Sequence, residues 1–105
     1  MKKLSSELNL TVSTKSFIYV KNIVDHYKEN KDARVLRLWE MYKMLAKKYD
    51  VSVEAINMGV FRYLQNSIKK IRDVYPNIDF DEYTVHTKEI LVRLADICEE
   101  KGCEF

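Results

Sequence analysis

At 105 residues, 47% hydrophobic and 32% charged, the chain is long enough for one hydrophobic core without disulfide or metal staples and has an ordinary globular composition, so residues 1–105 read as a single domain. Two glycines and one proline leave few breakers for hairpins, which favours long helices over a sheet. No apolar run approaches the roughly 18 residues of a membrane span and no early apolar segment suggests secretion, so a cytoplasmic protein without membrane contact is expected.

The net charge of +2 hides an asymmetry. Residues 1–72 carry 15 Lys/Arg against 7 Asp/Glu, whereas residues 73–105 carry 3 against 9. The asymmetry suggests a basic working surface on the first two-thirds, with an acidic C-terminal element kept away from it, which would raise the local concentration of polyanions such as DNA; the alternative is ordinary solvated helix faces that are unevenly charged.

In chain order, "KKLSSELNL" predicts a short helix with Ser5 or Ser6 near its start and Leu4, Leu8 and Leu10 turned inward. "VSTKSFIYVKNIVDHYKEN" predicts a second helix capped by Ser13 or Thr14, with Phe17, Val20, Ile23, Val24 and Tyr27 on one stripe. "KENKD" is too polar to pack and reads as a connector. The next helix is predicted over Ala33 to Tyr49, burying Val35, Leu38, Tyr42, Leu45 and Tyr49, with Trp39 and Met41 widening the stripe. Asp50-Val51-Ser52 breaks the pattern, and Ser52 is a suitable N-cap, without the Glu or Gln that would complete a capping box.

A long helix follows, about Val53 to Val74, whose inward residues are Val53, Ile56, Val60, Tyr63 or Leu64, Ser67 and Ile71. Tyr75-Pro76 ends it, because proline pushes its predecessor out of the helical region. "YPNIDFDEYTV" reads as an ordered loop pinned by Ile78, Phe80 and Tyr83. "HTKEILVRLADICEEKG" closes the chain as a helix capped at Thr87 or His86, with Ile90, Leu91, Leu94 and Ile97 inward and Gly102 as its stop. The expected fold is all-α, a compact bundle of five to six helices.

Within "LAKKYDVSVEAINMGVFRYL" the packing grammar fits a helix-turn-helix, with a generic helical hairpin in a bundle as the alternative. Leu45-Ala46 supplies an apolar residue and a small one at a crossing. Val51 supplies the buried turn residue, Ile56 and Val60 the inward anchors, and Gly59 room for close approach. If the second helix reads DNA, its groove-facing residues are Ser52, Glu54, Ala55, Asn57, Met58, Phe61 and Arg62. Asn57 suits adenine, Arg62 suits guanine or a phosphate, Glu54 suits cytosine N4, and Met58 or Phe61 suit thymine methyls. Lys15, Lys21, Lys47 and Lys48 are candidate phosphate clamps.

No enzyme constellation, no cofactor site and no small-molecule substrate site emerges. Cys98 and Cys103 lack the further ligands of a zinc site, and His26 and His86 stand apart, so two reduced structural cysteines are expected and no metal. The partner expected is double-stranded DNA, with a homodimer or a tandem assembly on DNA left open.

With these residues laid out, the chain resembles the C-terminal effector domain of the stage-zero sporulation protein A family, from about Glu7 to Asp96. "ELNLTVSTKSFIYVKNIV" is similar to the family's first block through Lys15, Phe17, Tyr19, Val20 and Lys21. "MYKMLAKKYDVS" is similar to its first helix-turn-helix segment through Tyr42, Ala46, Lys47, Lys48 and Tyr49, and "EILVRLADI" to its last helix through Glu89, Ile90, Ala95 and Asp96. The resemblance implies about six helices, DNA binding through a helix-turn-helix, tandem contacts on adjacent sites and transcriptional control. The receiver domain that precedes this module in the family has no counterpart in this sequence, so the usual phosphorylation switch is not expected. Ala55, Met58 and Phe61 stand where the family carries Arg, and Arg62 where it has His, so the family's DNA specificity does not carry over. The alternative is a protein-interaction or homodimerisation module that keeps the scaffold, with Ala55, Met58 and Phe61 as an apolar patch.

Overall fold

The computed structural model describes residues 3–76 and 87–105. Among them the chain forms five α-helices: α1 (Leu4–Glu7), α2 (Lys15–Glu29), α3 (Leu38–Tyr49), α4 (Val53–Val74) and α5 (Thr87–Lys101). A 3-10 turn, Lys31–Val35, lies between α2 and α3, and no strand occurs among the described residues. The architecture is the all-α bundle expected. The expected roles of Ile78, Phe80, Tyr83 and His86 lie outside the described residues.

The central element is α2. Thr14 is in extended conformation and its hydroxyl accepts the Phe17 N–H at 3.2 Å, which satisfies one of the helix's orphan donors and fixes where it starts. Its inward stripe, Tyr19, Val20, Ile23, Val24 and Tyr27, packs against both α5 and α4. Complete burial of each aliphatic member stabilises the fold by about 1.5–3 kcal/mol. Phe17 is half-buried at the edge of this stripe.

Two inward residues expected before and within α3 are corrected. The helix begins at Leu38 rather than Ala33, and Val35 is 84% exposed. Arg34 explains this: its Nε donates to the Tyr27 carbonyl at 3.2 Å and its Nη1 to Asp96 Oδ1 of α5 at 2.7 Å. Those bonds hold the segment as a 3-10 turn with Ala33 buried, so the 3.6-residue phase does not run back through Val35. Trp39 is also 43% exposed, its ring edge-on to Tyr42 at 6.3 Å, while Met41, Tyr42, Leu45 and Ala46 form the buried face.

The α3–α4 connection is three residues long. Asp50 takes the left-handed conformation (φ 54°, ψ 51°), and the Ala46 carbonyl accepts both its N–H and that of Val51, the latter at 3.0 Å. Ser52 then caps α4, its hydroxyl accepting the Ala55 N–H at 3.1 Å. Ile56, Val60, Tyr63, Leu64, Ser67 and Ile71 are buried along α4, as their spacing predicts.

At the other end, Gly102 (φ 63°) stops α5 and the Cys103 N–H returns to the Cys98 carbonyl at 3.0 Å. The tail then pairs with α1: Leu4 N–H donates to the Glu104 carbonyl at 2.8 Å and Ser5 N–H to that of Phe105 at 2.9 Å. Phe105 is fully buried, stacked on Phe17 with centroids 5.8 Å apart.

Candidate nucleic-acid interface

The inward stripe of α4 leaves its opposite face to solvent. Ser52, Glu54, Ala55, Asn57, Met58, Phe61 and Arg62 are all exposed, so every residue expected on the working side of the helix is accessible. Glu54, Met58 and Phe61 fall at three- and four-residue steps along the outer face. Asn57 and Arg62 flank that line on opposite sides, Asn57 four residues before Phe61 and Arg62 four residues after Met58, with Arg62 on the side toward α2.

Gly59 sets how α4 lies on α2. A Cβ there would stand 3.0 Å from Ser16 Oγ and 3.6 Å from the Tyr19 ring. The close approach anticipated from Gly59 is therefore made to the start of α2, and the α2 helix reaches the middle of α4. Tyr19 also meets Tyr49 of α3, ring centroids 5.5 Å apart.

Asn22 ties the end of α3 to the same surface, a role the sequence did not reveal. Its Nδ2 donates to the Ile18 carbonyl at 2.7 Å and to the Tyr49 hydroxyl at 2.9 Å. Lys48 Nζ donates to Asn22 Oδ1 at 3.2 Å and lies 5.4 Å from the Tyr49 ring centroid. Lys48 is thus held in place with donors to spare. Lys47 beside it is exposed.

Several cations of the first two-thirds have acidic partners: Arg34 with Asp96 at 2.7 Å, Lys31 with Glu99 at 3.0 Å, Lys21 with Asp25 at 2.9 Å and Lys43 with Glu40 at 3.4 Å. Asp96 and Glu99 belong to α5. Lys21, expected as a clamp, is locally neutralised. Among the described residues, Lys15, Lys47, Arg62 and Lys69 make no hydrogen bond or ion pair, and all four lie on α2's first turn, α3's last turn or α4. Lys3, Arg37 and Arg93 are free as well, on other parts of the surface.

Reactive groups are muted. Cys98 and Cys103 are free and buried, and the Cys98 thiol is pushed up to about 12, first by burial and then by the adjacent Cys103. Burial also raises the Tyr63 phenol to about 12, and its O–H donates to the Thr11 carbonyl at 2.8 Å. Among the described residues no cluster of three or more His, Cys, Asp or Glu could hold a metal, and no helix is long and apolar enough to cross a membrane.

Comparison with protein-family models, with curated proteins and with solved structures found no match for this chain.

Proposed function

We propose that the chain is a DNA-binding transcription regulator that uses α3, the Asp50-Val51-Ser52 turn and α4 as a helix-turn-helix, with the N-terminal half of α4 in the major groove. The observation that carries this reading is the placement of free cations. Lys15 on the first turn of α2, Lys47 on the last turn of α3 and Arg62 on α4 have no side-chain partner among the described residues, and Lys48 keeps donors to spare, while Asp96 and Glu99 of α5 pair with Arg34 and Lys31. Such cations would hold phosphates and leave Asn57, Glu54, Met58 and Phe61 to meet base edges. Glu54 lies in the first turn of α4, where the helix dipole stabilises a carboxylate and positions it as an acceptor.

This reading agrees with the resemblance to the stage-zero sporulation protein A effector domain and departs from it in the groove, where Asn57 and apolar side chains take the place of an arginine row. A cytoplasmic location and a homodimer or tandem assembly on DNA go with it. The test is binding to a random duplex pool followed by anisotropy across a salt series. Neutralising roughly five phosphates gives a log–log salt slope near −4.5, a loss of several hundred-fold in affinity for a fourfold rise in salt. No binding at low salt removes the proposal.

A second reading has its own observation. Met58 is 49% exposed and Phe61 40% exposed on the same face of α4, which suits a protein partner or a homodimer. It predicts concentration-dependent association that Phe61→Asp weakens and salt barely changes.

A further inference from the structure

Between the start of α2 and the middle of α4 lies an open cleft of about 200 Å³. Arg62 and Lys70 line it from α4 together with the amide of Asn66, and the hydroxyls of Thr11, Thr14 and Ser16 line the opposite wall. Among the described residues no carboxylate borders it. Arg62 has no partner among the described residues, and Lys70 Nζ donates once, to the Asn9 carbonyl at 2.9 Å. The Thr14 hydroxyl accepts from Phe17 N–H, so its own proton remains to be donated.

Two cations, several hydroxyl and amide donors and, among the described residues, no negative group make this cleft complementary to a tetrahedral oxyanion. A guanidinium fork and a lysine on one wall can hold phosphate oxygens together, one by paired directional bonds and the other as a point charge. We infer that the cleft seats a phosphate group, held by Arg62 and Lys70 against the first turn of α2. The inference rests on the DNA-binding reading for the source of that group: on a duplex it is a backbone phosphate at the edge of the groove. Arg62 then holds the backbone and reads no base, which refines the role its sequence position suggests.

The experiment follows backbone amide shifts of Lys15, Ser16 and Asn66 in the 15N-labelled chain. One arm titrates inorganic phosphate against chloride at equal ionic strength, and the other titrates a random-sequence duplex. Both arms are repeated with Arg62→Ala and Lys70→Ala combined; Arg62 and Lys70 are exposed, so the helical circular dichroism should be unchanged. The expected result is that phosphate and duplex both move these amides in the parent chain and neither does so in the variant. In the duplex arm the variant should also lose about one unit of log–log salt slope and bind all sequences more weakly by a similar factor.

Amides unmoved by either probe overturn the inference. So does an unchanged salt slope with relaxed preference at one base position, because Arg62 would then be a base reader. If inorganic phosphate moves the amides while no duplex binds at low salt, the DNA-binding reading falls and the cleft stands as a site for a free phosphate group.

Discussion

Gly59 of α4 lies so close to Ser16 of α2 that a Cβ on Gly59 would stand 3.0 Å from the Ser16 hydroxyl oxygen. This approach joins the candidate reading helix to the central helix, and it brings the first turn of α2 beside Arg62. A glycine in a helix interior is about 0.8–1 kcal/mol less favourable than alanine, so close approach and helix propensity oppose one another at this position. With Ser16→Ala in place, Gly59→Ala should therefore stabilise the chain by up to about 1 kcal/mol, and by clearly less when Ser16 is present. Gly59→Val should cost about 1–3 kcal/mol, because its branch meets the Tyr19 ring. Urea midpoints of the four variants check the coupling.

Phe105 is the keystone of the tail. It is fully buried and stacked on Phe17, while the backbone of Glu104 and Phe105 holds α1. Phe105→Ala should cost about 3–5 kcal/mol. Phe105→Leu should cost less, since it refills most of the volume. Equilibrium urea denaturation followed by circular dichroism gives both values.

Alkaline pH should weaken the fold in a defined window. Burial raises Cys98 from 9.0 to about 12 and Tyr63 from 10.0 to about 12, and it raises Tyr27 and Tyr42 above 10.0 as well. Each group keeps its proton in the folded chain while the unfolded chain loses it. Their contribution is therefore whole below about pH 9 and is lost as pH rises toward 12. Each group ionised only in the unfolded state lowers stability by about 1.4 kcal/mol per pH unit. Thermal midpoints should hold steady between pH 7 and about 9, then fall progressively. Native Cys98 should resist alkylation at pH 8 and react once urea is added.

How much of this was legible in the sequence depends on how far each feature reaches along the chain. The stripe of α4 and the Ser52 cap were readable because both are local, set by three- and four-residue steps. Val35 was misplaced because the sequence pattern continued an α-helical phase through a segment that Arg34 holds as a 3-10 turn, using partners 7 and 62 residues away. The burial of Phe105 was invisible for the same reason, since a lone aromatic after a helix stop carries no periodicity. On the working side, the exposure of Asn57, Met58 and Phe61 followed from the helical pattern. The Asn22–Tyr49 bond spans 27 residues, and the cleft joins Thr14 and Ser16 to Arg62 and Lys70. No local pattern encodes such pairings.

The central claim is that the outer face of α4 reads duplex DNA. The most direct measurement is selection of bound sequences from a random duplex library at low salt, run in parallel on the parent chain and on Asn57→Ala. The account predicts an enriched motif with the parent and the loss of preference at one adenine position with the variant. Retention of no duplex by the parent chain, or enrichment identical in both, would contradict it.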